Sequence, residues 1–129
     1  MTRRQQDLPT DSELEILTVL WQRGPSTVRE VFNELRATRE VGYSTVLKFM
    51  QIMTDKGLLV RDESVRPQIY RPASSQRKTQ QGIVRDLLKR AFDGSPGNLA
   101  LQALSTRKAT PEERRQIREL LDRLEGGKP

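Results

Sequence analysis

The sequence predicts a mainly α-helical fold that also contains one small β-hairpin, an α+β arrangement. Three observations predict it. Capping boxes and apolar residues at a 3.6-residue period indicate three short helices in the first half of the chain. The period then shortens to that of two strands joined by a turn. Further apolar stripes with helical spacing follow after residue 75.

The first predicted helix runs from about residue 11 to residue 23. Thr10 and Glu13 form a capping box, in which each side chain accepts the backbone N–H of the other residue. Gly24, followed by a proline, ends the helix. We expect the buried stripe of this helix to consist of Leu14, Leu17, Thr18 and Trp21.

The second and third predicted helices form a helix-turn-helix pair. Thr27 and Glu30 make another capping box, which begins a helix over about residues 28–37. The third helix is predicted to begin with the Ser44 hydroxyl as its N-cap and to end at Gly57. We expect the buried faces to contain Val31, Phe32 and Leu35 in the second helix and Val46, Phe49, Met50 and Met53 in the third.

A hairpin is predicted after the third helix. Residues 58–63 and 68–71 have the pattern of strands and enclose a turn at residues 64–67. We also expect a very short strand between Pro25 and Thr27. Three short helices followed by a hairpin is the order of a winged helix-turn-helix, in which the second helix of the pair enters the DNA major groove.

The C-terminal part is predicted to be a helical dimerisation region. A break at residues 94–97 separates its first two helices, and a third capping box, Thr110 with Glu113, begins the last. Three short helices form a thin layer that cannot bury both of its faces within one chain, and we therefore expect two copies to pair. The alternative is that these helices fold back on their own winged helix. The expected dimer interface consists of Ile83, Val84, Leu87, Leu88, Phe92, Leu101, Leu104, Ile117, Leu120, Leu121 and Leu124.

These features divide the chain into three regions. Residues 1–9 are expected to be a disordered N-terminal arm, residues 10–75 a winged-helix DNA-binding domain, and residues 76–129 a helical dimerisation domain. The formal net charge of +6 favours a polyanion such as double-stranded DNA as a partner. Most of the excess positive charge lies after residue 75, so charge alone does not locate the DNA-reading element.

The absence of cysteine and histidine excludes several classes of function. It removes disulfides, thiolate and imidazole metal ligands, and catalysis by His or Cys. No acid pair lies beside a nucleophile and there is no glycine-rich phosphate loop, so we expect no enzyme, catalytic residue, metal or cofactor. No apolar run approaches membrane-spanning length and the start lacks a secretory signal, so we expect a cytoplasmic protein without membrane insertion.

The candidate DNA-binding residues lie on the outward face of the third helix, at the start of the second helix and in the hairpin. Ser, Thr, Lys and Gln side chains bond base edges or phosphates, and arginines in a wing contact the DNA backbone or minor groove. The candidates are Thr27, Arg29, Ser44, Thr45, Lys48, Gln51, Arg61 and Arg66.

The candidates also have ordinary structural interpretations. Ser44 is suited to capping a helix, and Lys48 to a solvated surface. Arg61 and Arg66 are suited to pairing with the acidic residues of the hairpin. Ile52 lies on the same outward face, and two interpretations of it remain open: packing against the second helix or the hairpin, and contact with thymine methyl groups.

A series of motifs runs through the chain in order. The segments are Leu8-Pro9-Thr10 through Leu20-Trp21, Gly24, Thr27-Val28-Arg29-Glu30-Val31, Tyr43-Ser44-Thr45-Val46-Leu47, Lys56-Gly57-Leu58-Leu59, Tyr70-Arg71-Pro72, Phe92-Asp93-Gly94-Ser95 and Thr110-Pro111-Glu112-Glu113. This series, from about residue 8 to residue 125, resembles the penicillinase repressor family (BlaI/MecI type, with the copper-responsive CopY relatives). Its specificity comes from the ordered series and not from any single segment.

The resemblance implies a homodimeric transcriptional repressor that binds a palindromic operator near a promoter, with half-sites similar to TACA/TGTA. It maps the recognition helix of the family onto residues 44–56 and the wing onto residues 58–71. It also implies a membrane sensor-protease of the family type as a partner.

The chain departs from the family pattern at several positions. Family members usually have arginine in place of Ile52 and often threonine in place of Lys48, so we expect a different operator preference. Inducible members are cut at an Asn-Phe bond, whereas the matching pair here is Gln102-Ala103, so the resemblance does not carry release by that cut to this chain. The copper-responsive branch uses a C-terminal cysteine cluster, which a chain without cysteine cannot form.

Two other functions remain open at the level of the sequence. One is a winged-helix module for protein or RNA contacts, which would show weak salt dependence of binding and no preference for a palindrome. The other is an activator or architectural DNA-binding protein, which a reporter assay separates from a repressor.

Overall fold

The computed structural model describes residues 8–126 of the 129-residue chain. Most of the predicted N-terminal arm, residues 1–7, lies outside the described residues, as do residues 127–129. Within residues 8–126 the fold is mainly helical, with six helices and two strands. In chain order they are α1 (Asp11–Arg23), α2 (Val28–Arg36), α3 (Tyr43–Asp55), β1 (Leu59–Asp62), β2 (Ile69–Pro72), α4 (Gln76–Ala91), α5 (Pro96–Thr106) and α6 (Pro111–Gly126).

Two units make up the described chain, one ending at Val84 and the other beginning at Arg85. The first unit contains α1 to α3 and the hairpin of β1 and β2. The second contains α5, α6 and the last turns of α4. The predicted order of three helices, a hairpin and further helices is therefore confirmed.

Helix α1 begins and ends where the sequence predicts. The Glu13 amide donates to the Thr10 hydroxyl oxygen at 3.2 Å, and the Thr10 amide donates to the Glu13 carboxylate at 3.0 Å. Gly24 ends the helix with φ of +93°, a conformation that glycine adopts without a Cβ penalty.

The predicted buried stripe of α1 is wrong. The buried residues are Glu13, Ile16, Leu17 and Leu20, so only Leu17 belongs to both sets, while the predicted Leu14, Thr18 and Trp21 are half-buried. Apolar side chains lie on more than one side of this helix, so two different apolar stripes have helical spacing. Contacts with α2, α3 and β2 bury the stripe that contains Ile16 and Leu20.

Helices α2 and α3 follow the prediction with one correction. Ala37 is the C-cap of α2, and Gly57, with φ of +85°, follows α3 as predicted. The predicted N-cap of α3, Ser44, is wrong, because Gly42 holds that position and Ser44 is already the second helical residue. Gly42 has extended dihedrals, so the chain turns into the helix two residues earlier than the Ser44 hydroxyl suggested.

The two strands pair antiparallel, with Leu59 opposite Pro72 and Asp62 opposite Ile69. The short strand expected between Pro25 and Thr27 is present as a single bridge between Ser26 and Tyr70. The Ser26 amide donates to the Tyr70 carbonyl at 3.0 Å, and the Tyr70 amide returns a bond of 2.8 Å. This bridge fixes the base of the hairpin to the connection between α1 and α2.

The hydrophobic core of the first unit lies between α1, α2, α3 and the base of the hairpin. Its buried members are Ile16, Leu17, Leu20, Val28, Val31, Leu35, Val46, Met50, Met53, Leu59 and Tyr70. Phe32 and Phe49, which the sequence placed on buried faces, are half-buried and pack against this core. The inner face of α3 is therefore held on the body of the first unit.

The C-terminal helices begin at polar caps. Ser75 accepts the Lys78 amide at 3.1 Å before α4, and Ser95 accepts the Asn98 amide at 3.0 Å before α5. The predicted capping box of α6 is confirmed by two bonds between Thr110 and Glu113, of 2.8 and 3.0 Å. Within the described residues, none of these three helices contains a buried side chain.

Candidate nucleic-acid interface

Helix α3 presents two chemically different faces. Val46, Met50 and Met53 are buried in the core. The exposed residues on the rest of the helix are Tyr43, Ser44, Thr45, Lys48, Gln51, Ile52 and Asp55. The four α3 residues predicted from the sequence to meet DNA thus lie on one solvent-facing surface, where hydroxyl, amide and ammonium groups are available to a ligand.

Ile52 is the apolar member of this surface and is 40% exposed. It is separated from Lys48 and from Ser44 by one and two turns of the helix, so it lies in the same row of side chains. A large aliphatic side chain in this position gives the polar face an apolar patch towards the C-terminal end of α3.

The start of α3 is open to an anion. Its N-cap, Gly42, has no side chain to bond the first amides, and the first turn contains no acidic residue. The positive end of a helix dipole and its leading amides favour phosphate oxygens. Ser44 and Thr45 lie in this first turn, next to those amides.

The start of α2 is, in contrast, already capped. The Thr27 hydroxyl oxygen accepts the Glu30 amide at 3.1 Å, and the Thr27 amide donates to Glu30 Oε1 at 2.9 Å. Thr27 is half-buried. Its hydroxyl hydrogen remains able to donate to a ligand, but its oxygen and its own amide are engaged in the cap.

Arg29 belongs to a cluster that the sequence did not reveal. Its guanidinium carbon lies 4.5 Å from the centre of the Tyr43 ring and 5.7 Å from that of Phe32. The guanidinium carbon of Arg36, one turn further along α2, lies 5.2 Å from the centre of the same Phe32 ring. The two rings meet edge to face, with centres 5.7 Å apart and planes at 82°. We call Arg29, Phe32, Arg36 and Tyr43 the arginine–aromatic cluster.

The only sequence signal for this cluster was the spacing of three residues in α2. Positions 29, 32 and 36 share one helical face. Phe32 was assigned to the core, and Tyr43 was absent from the candidates, because its contact with Arg29 joins two helices that meet only after folding.

In the wing, Arg61 is paired with an acidic neighbour. Its guanidinium contacts the Glu63 carboxylate at 2.9 Å, and the Tyr70 side chain and then Glu63 raise the pKa of Arg61 above its usual value. Arg66 is exposed and donates to the Glu63 backbone carbonyl at 3.2 Å, so its positive charge has no carboxylate partner among the described residues. Pairing within the hairpin, left open by the sequence, is thus found for Arg61 but not for Arg66.

The turn of the wing has its own polar contacts. The Asp62 carboxylate accepts the Ser64 hydroxyl at 2.6 Å and the Ser64 amide at 2.9 Å. These two bonds lower the pKa of Asp62, the hydroxyl contributing most. The turn is therefore ordered by a side chain that carries negative charge, and the charge of Arg71 in β2 also lowers the pKa of that side chain.

A partly buried ion pair fixes the end of α3 against α1. The Lys56 ammonium lies 2.9 Å from both carboxylate oxygens of Glu13, and the Glu13 side chain is only 4% exposed. The same carboxylate accepts the Thr10 amide at the start of α1. Lys56 therefore orients the exposed face of α3 relative to the rest of the first unit.

The residues predicted to form a dimer interface carry an apolar surface that the single chain does not bury. Five are half-buried: Ile83, Leu87, Leu88, Phe92 and Ile117. Six are exposed: Val84, Leu101, Leu104, Leu120, Leu121 and Leu124. Leu101 and Leu124 are the most exposed, at 69% and 70%.

Helices α5 and α6 enclose an open groove of about 330 Å³ within the second unit. Leu104, Ala109 and Ile117 supply apolar walls, and three basic side chains stand at its edge: Lys108, Arg114 and Arg118. Two of the residues predicted for the dimer interface, Leu104 and Ile117, therefore line this groove.

Two further findings concern residues 8–126. None of their helices combines the length and apolar character needed to cross a lipid bilayer. Their acidic side chains also do not gather into a group of three that would hold a metal ion.

Comparison with known proteins identifies relatives along most of the chain. The family model described as penicillinase repressor matches residues 9–123. "Transcriptional regulator BlaI" of Mycobacterium tuberculosis (strain ATCC 25618 / H37Rv) is 30% identical over 118 residues, which cover 91% of this chain and 85% of the relative. "Penicillinase repressor" of Bacillus licheniformis is 23% identical over 113 residues, which cover 88% of each protein.

Proposed function

The chain belongs to the penicillinase repressor family, and on this premise we propose that it is a dimeric transcriptional repressor that binds a palindromic operator. The family consists of transcriptional repressors and not of enzymes. In the proposed division of labour, residues 10–75 read DNA and residues 76–129 join two copies. Because its target is DNA, we propose the cytoplasm as its location.

The observation that carries this proposal is the two-faced character of α3. Its inner face is sealed by the core, and its outer face offers short polar side chains and one ammonium group. In a helix-turn-helix the N-terminal part of the second helix reaches deepest into the major groove. Ser44, Thr45 and Lys48 are therefore proposed to contact base edges, with Gln51 one turn further along.

Contacts with the DNA backbone are proposed for residues around α3. Arg29 and the hydroxyl of Thr27 lie at the start of α2, where the first helix of the pair crosses the backbone. In the wing, Arg66 is the better candidate because its charge is not paired with a carboxylate within the described residues. Arg61 is already paired with the Glu63 carboxylate. To bind a phosphate it would have to leave this carboxylate or divide its donors between the two groups, so its proposed contribution is smaller.

The exposed apolar surface of α4, α5 and α6 supports the proposed homodimer. A standard interface buries about 1,600 Å², and if half is apolar, its burial contributes about 20 kcal/mol before the costs of association. A monomer that leaves several leucines exposed to water does not gain this free energy of burial. A second copy of the same surface is a suitable cover, because twofold pairing brings like surfaces together.

Dimerisation explains how a small module achieves specific binding. One winged helix meets few bases, but two joined modules bind two half-sites at high effective concentration. The dimer geometry then sets a half-site separation of about one or two DNA turns, roughly 34–36 Å each. A bound dimer would repress by blocking RNA polymerase, and any event that separates the protomers would release the operator.

A membrane sensor-protease of the family type is proposed as a partner in release. The pair that matches the cleaved bond of inducible members, Gln102-Ala103, lies in the middle of α5 and is exposed. Because Gln102-Ala103 differs from the Asn-Phe pair of the family, we propose that release occurs by separation of the dimer and assign no cleaved bond.

Substitutions on α3 test the reading surface. Thr45→Ala and Lys48→Ala remove side chains that are exposed and outside the core, so each should weaken operator binding about tenfold or more while the fold is retained. The operator probe comes from footprinting of the DNA upstream of the protein's own gene, and fluorescence anisotropy gives the affinity. Lys78→Ala, which removes an exposed lysine in the first turn of α4, is the matched control. Unchanged affinity in both α3 variants would refute the placement of the reading surface.

A substitution on α6 tests the dimer. Leu121→Asp places a charge in the proposed interface and should give monomers in sedimentation equilibrium, with loss of specific operator binding. Arg123→Asp changes the charge at another exposed position of the same helix and should leave the dimer intact. A stable Leu121→Asp dimer would exclude this interface.

A further inference from the structure

The arginine–aromatic cluster lies where α2 meets the first residue of α3, and Arg29 is its one member among the residues proposed to contact DNA. We infer that the cluster is a clamp for DNA backbone phosphates, in which Arg29 and Arg36 bind phosphate oxygens and the rings of Phe32 and Tyr43 hold the two guanidinium groups. This inference rests on the proposed DNA-binding function.

The charges of Arg29 and Arg36 differ from those of their neighbours in being uncompensated. Within residues 8–126, neither arginine has a carboxylate within ion-pair distance. Arg23, by contrast, pairs with Glu30 and Glu34 at 3.3 Å, and Arg39 pairs with Glu15. Arg23 and Arg39 are thus paired with carboxylates, whereas Arg29 and Arg36 have aromatic rings beside them instead.

Aromatic neighbours restrain an arginine without using its hydrogen-bond donors. A guanidinium over a ring face is attracted by the ring quadrupole, while its N–H groups remain in the plane of the guanidinium and available to oxygen acceptors. Fixing the side chain before binding also lowers the entropy that a phosphate contact would otherwise cost. A carboxylate partner would have the opposite effect, because it would compete directly with the phosphate.

The position of Tyr43 connects the clamp to base reading. Tyr43 is the first residue of α3 and directly precedes Ser44 and Thr45. A phosphate held by Arg29 would therefore lie beside the end of α3 that is proposed to enter the groove. Phosphate contacts of this kind fix the register of a reading helix without specifying sequence.

The salt dependence of binding tests the clamp. The slope of log Kobs against log salt concentration falls by about one unit for each phosphate contact removed. Arg29→Ala and Arg36→Ala should each lower the slope by about one on two duplexes of about 30 base pairs, or three DNA turns. One, the half-site duplex, carries the two half-sites that footprinting identifies upstream of the protein's own gene, and the other carries a scrambled sequence.

Arg39→Ala is the matched control for these variants. It removes one positive charge from an exposed arginine of the same unit, but that arginine is already paired with Glu15. The control should leave the slope unchanged. Equal slope changes in Arg36→Ala and Arg39→Ala would overturn the clamp, since the effect would then follow net charge and not the cluster.

The role of the ring is tested by two substitutions of Tyr43. Tyr43→Phe keeps the ring over Arg29 and should retain the wild-type slope and affinity. Tyr43→Leu removes the ring and should weaken binding to both duplexes by the same factor, with no loss of helical circular dichroism. If Tyr43→Phe loses as much affinity as Tyr43→Leu, the hydroxyl and not the ring is the functional group, and the positioning role is wrong.

Failure of the clamp and failure of the proposed function have different signatures. Loss of the clamp alone would appear as unchanged slopes in a protein that still prefers the half-site duplex over the scrambled one. A wild-type protein that binds both duplexes equally would contradict the proposed operator specificity, while the slope changes would still support the clamp.

Discussion

The N-terminal unit and the C-terminal helices have similar amphipathic sequence patterns but bury them to different extents. In the first unit, α1, α2 and α3 close on one another and on the base of the hairpin, and residues such as Val31, Met50 and Met53 have no exposed surface. In α4, α5 and α6 no described side chain is buried, and Leu101 and Leu124 remain more than two-thirds exposed.

An apolar stripe therefore specifies that a helix face will be covered, but not which partner covers it. Burial requires a second layer, and the chain supplies one to its first three helices. The last three helices have no such layer among the described residues. Under the proposed function the first unit shows the polar surface that binds DNA, and the second shows the apolar surface that binds its copy.

The largest effect is expected from a cavity in the first unit. Met50→Ala should lower the free energy of unfolding by about 2–5 kcal/mol, because Met50 is fully buried and its neighbours cannot fill the space. Urea denaturation followed by the fluorescence of Trp21, the single tryptophan, measures it. Gln51→Ala, at the exposed neighbouring position, should change the same free energy by less than about 0.5 kcal/mol. Equal losses in both variants would show that the core is misassigned.

A truncation in the C-terminal region should act on association instead. Leu124→Ala should raise the dimer dissociation constant about tenfold or more, since each protomer loses apolar surface from the proposed interface. Sedimentation equilibrium measures this constant, and the Trp21 denaturation midpoint at saturating dimer concentration serves as the control. An unchanged dissociation constant would show that Leu124 lies outside the interface.

A smaller effect is expected where a buried charge joins α1 to α3. Glu13→Gln keeps the acceptor that the capping box requires but removes the charge that faces Lys56. Because the Lys56 side chain is 30% exposed, the loss of stability should be about 1–2 kcal/mol and not the larger value of a fully buried pair. Urea denaturation measures it, and in a double variant with Lys56→Gln part of the loss should be recovered. No change in Glu13→Gln would exclude a stabilising ion pair.

The smallest effect concerns acid in the wing. The bonds from Ser64 depress the folded-state pKa of Asp62 below the ordinary 3.8, so their contribution is present above that value and is lost as the pH falls through the depressed pKa. Carboxyl NMR titration should give a higher Asp62 pKa in Ser64→Ala than in the wild type, because the hydroxyl donor is gone. Identical titration curves would show that the turn is not ordered as described.

Most local parts of the fold could be predicted from the sequence, with the N-cap of α3 as the exception. Capping boxes act within four residues, so Thr10, Thr27 and Thr110 mark helix starts that the structure confirms. The change of period after Gly57 likewise locates the hairpin. These signals depend only on neighbours along the chain, and no tertiary contact overrides them here.

Contacts between distant segments could not be predicted in the same way. Glu13 was assigned only to its cap, although its carboxylate also meets Lys56, which lies 43 residues away. The face of α1 was misassigned because two apolar stripes compete there and only contacts with other elements decide between them. The roles proposed for the α3 residues and for the interface leucines remain predictions, since they depend on DNA and on a second copy.

Dimeric DNA reading is tested by comparing the affinity for a duplex that has two half-sites with that for a duplex that has one. We expect the wild-type protein to bind the two-site duplex at least about a hundredfold more tightly, because the second module binds at high effective concentration. Leu121→Asp should abolish this ratio. Equal affinity of the wild type for both duplexes, or a full ratio in a protein shown to be monomeric, would contradict the claim that a paired molecule reads DNA.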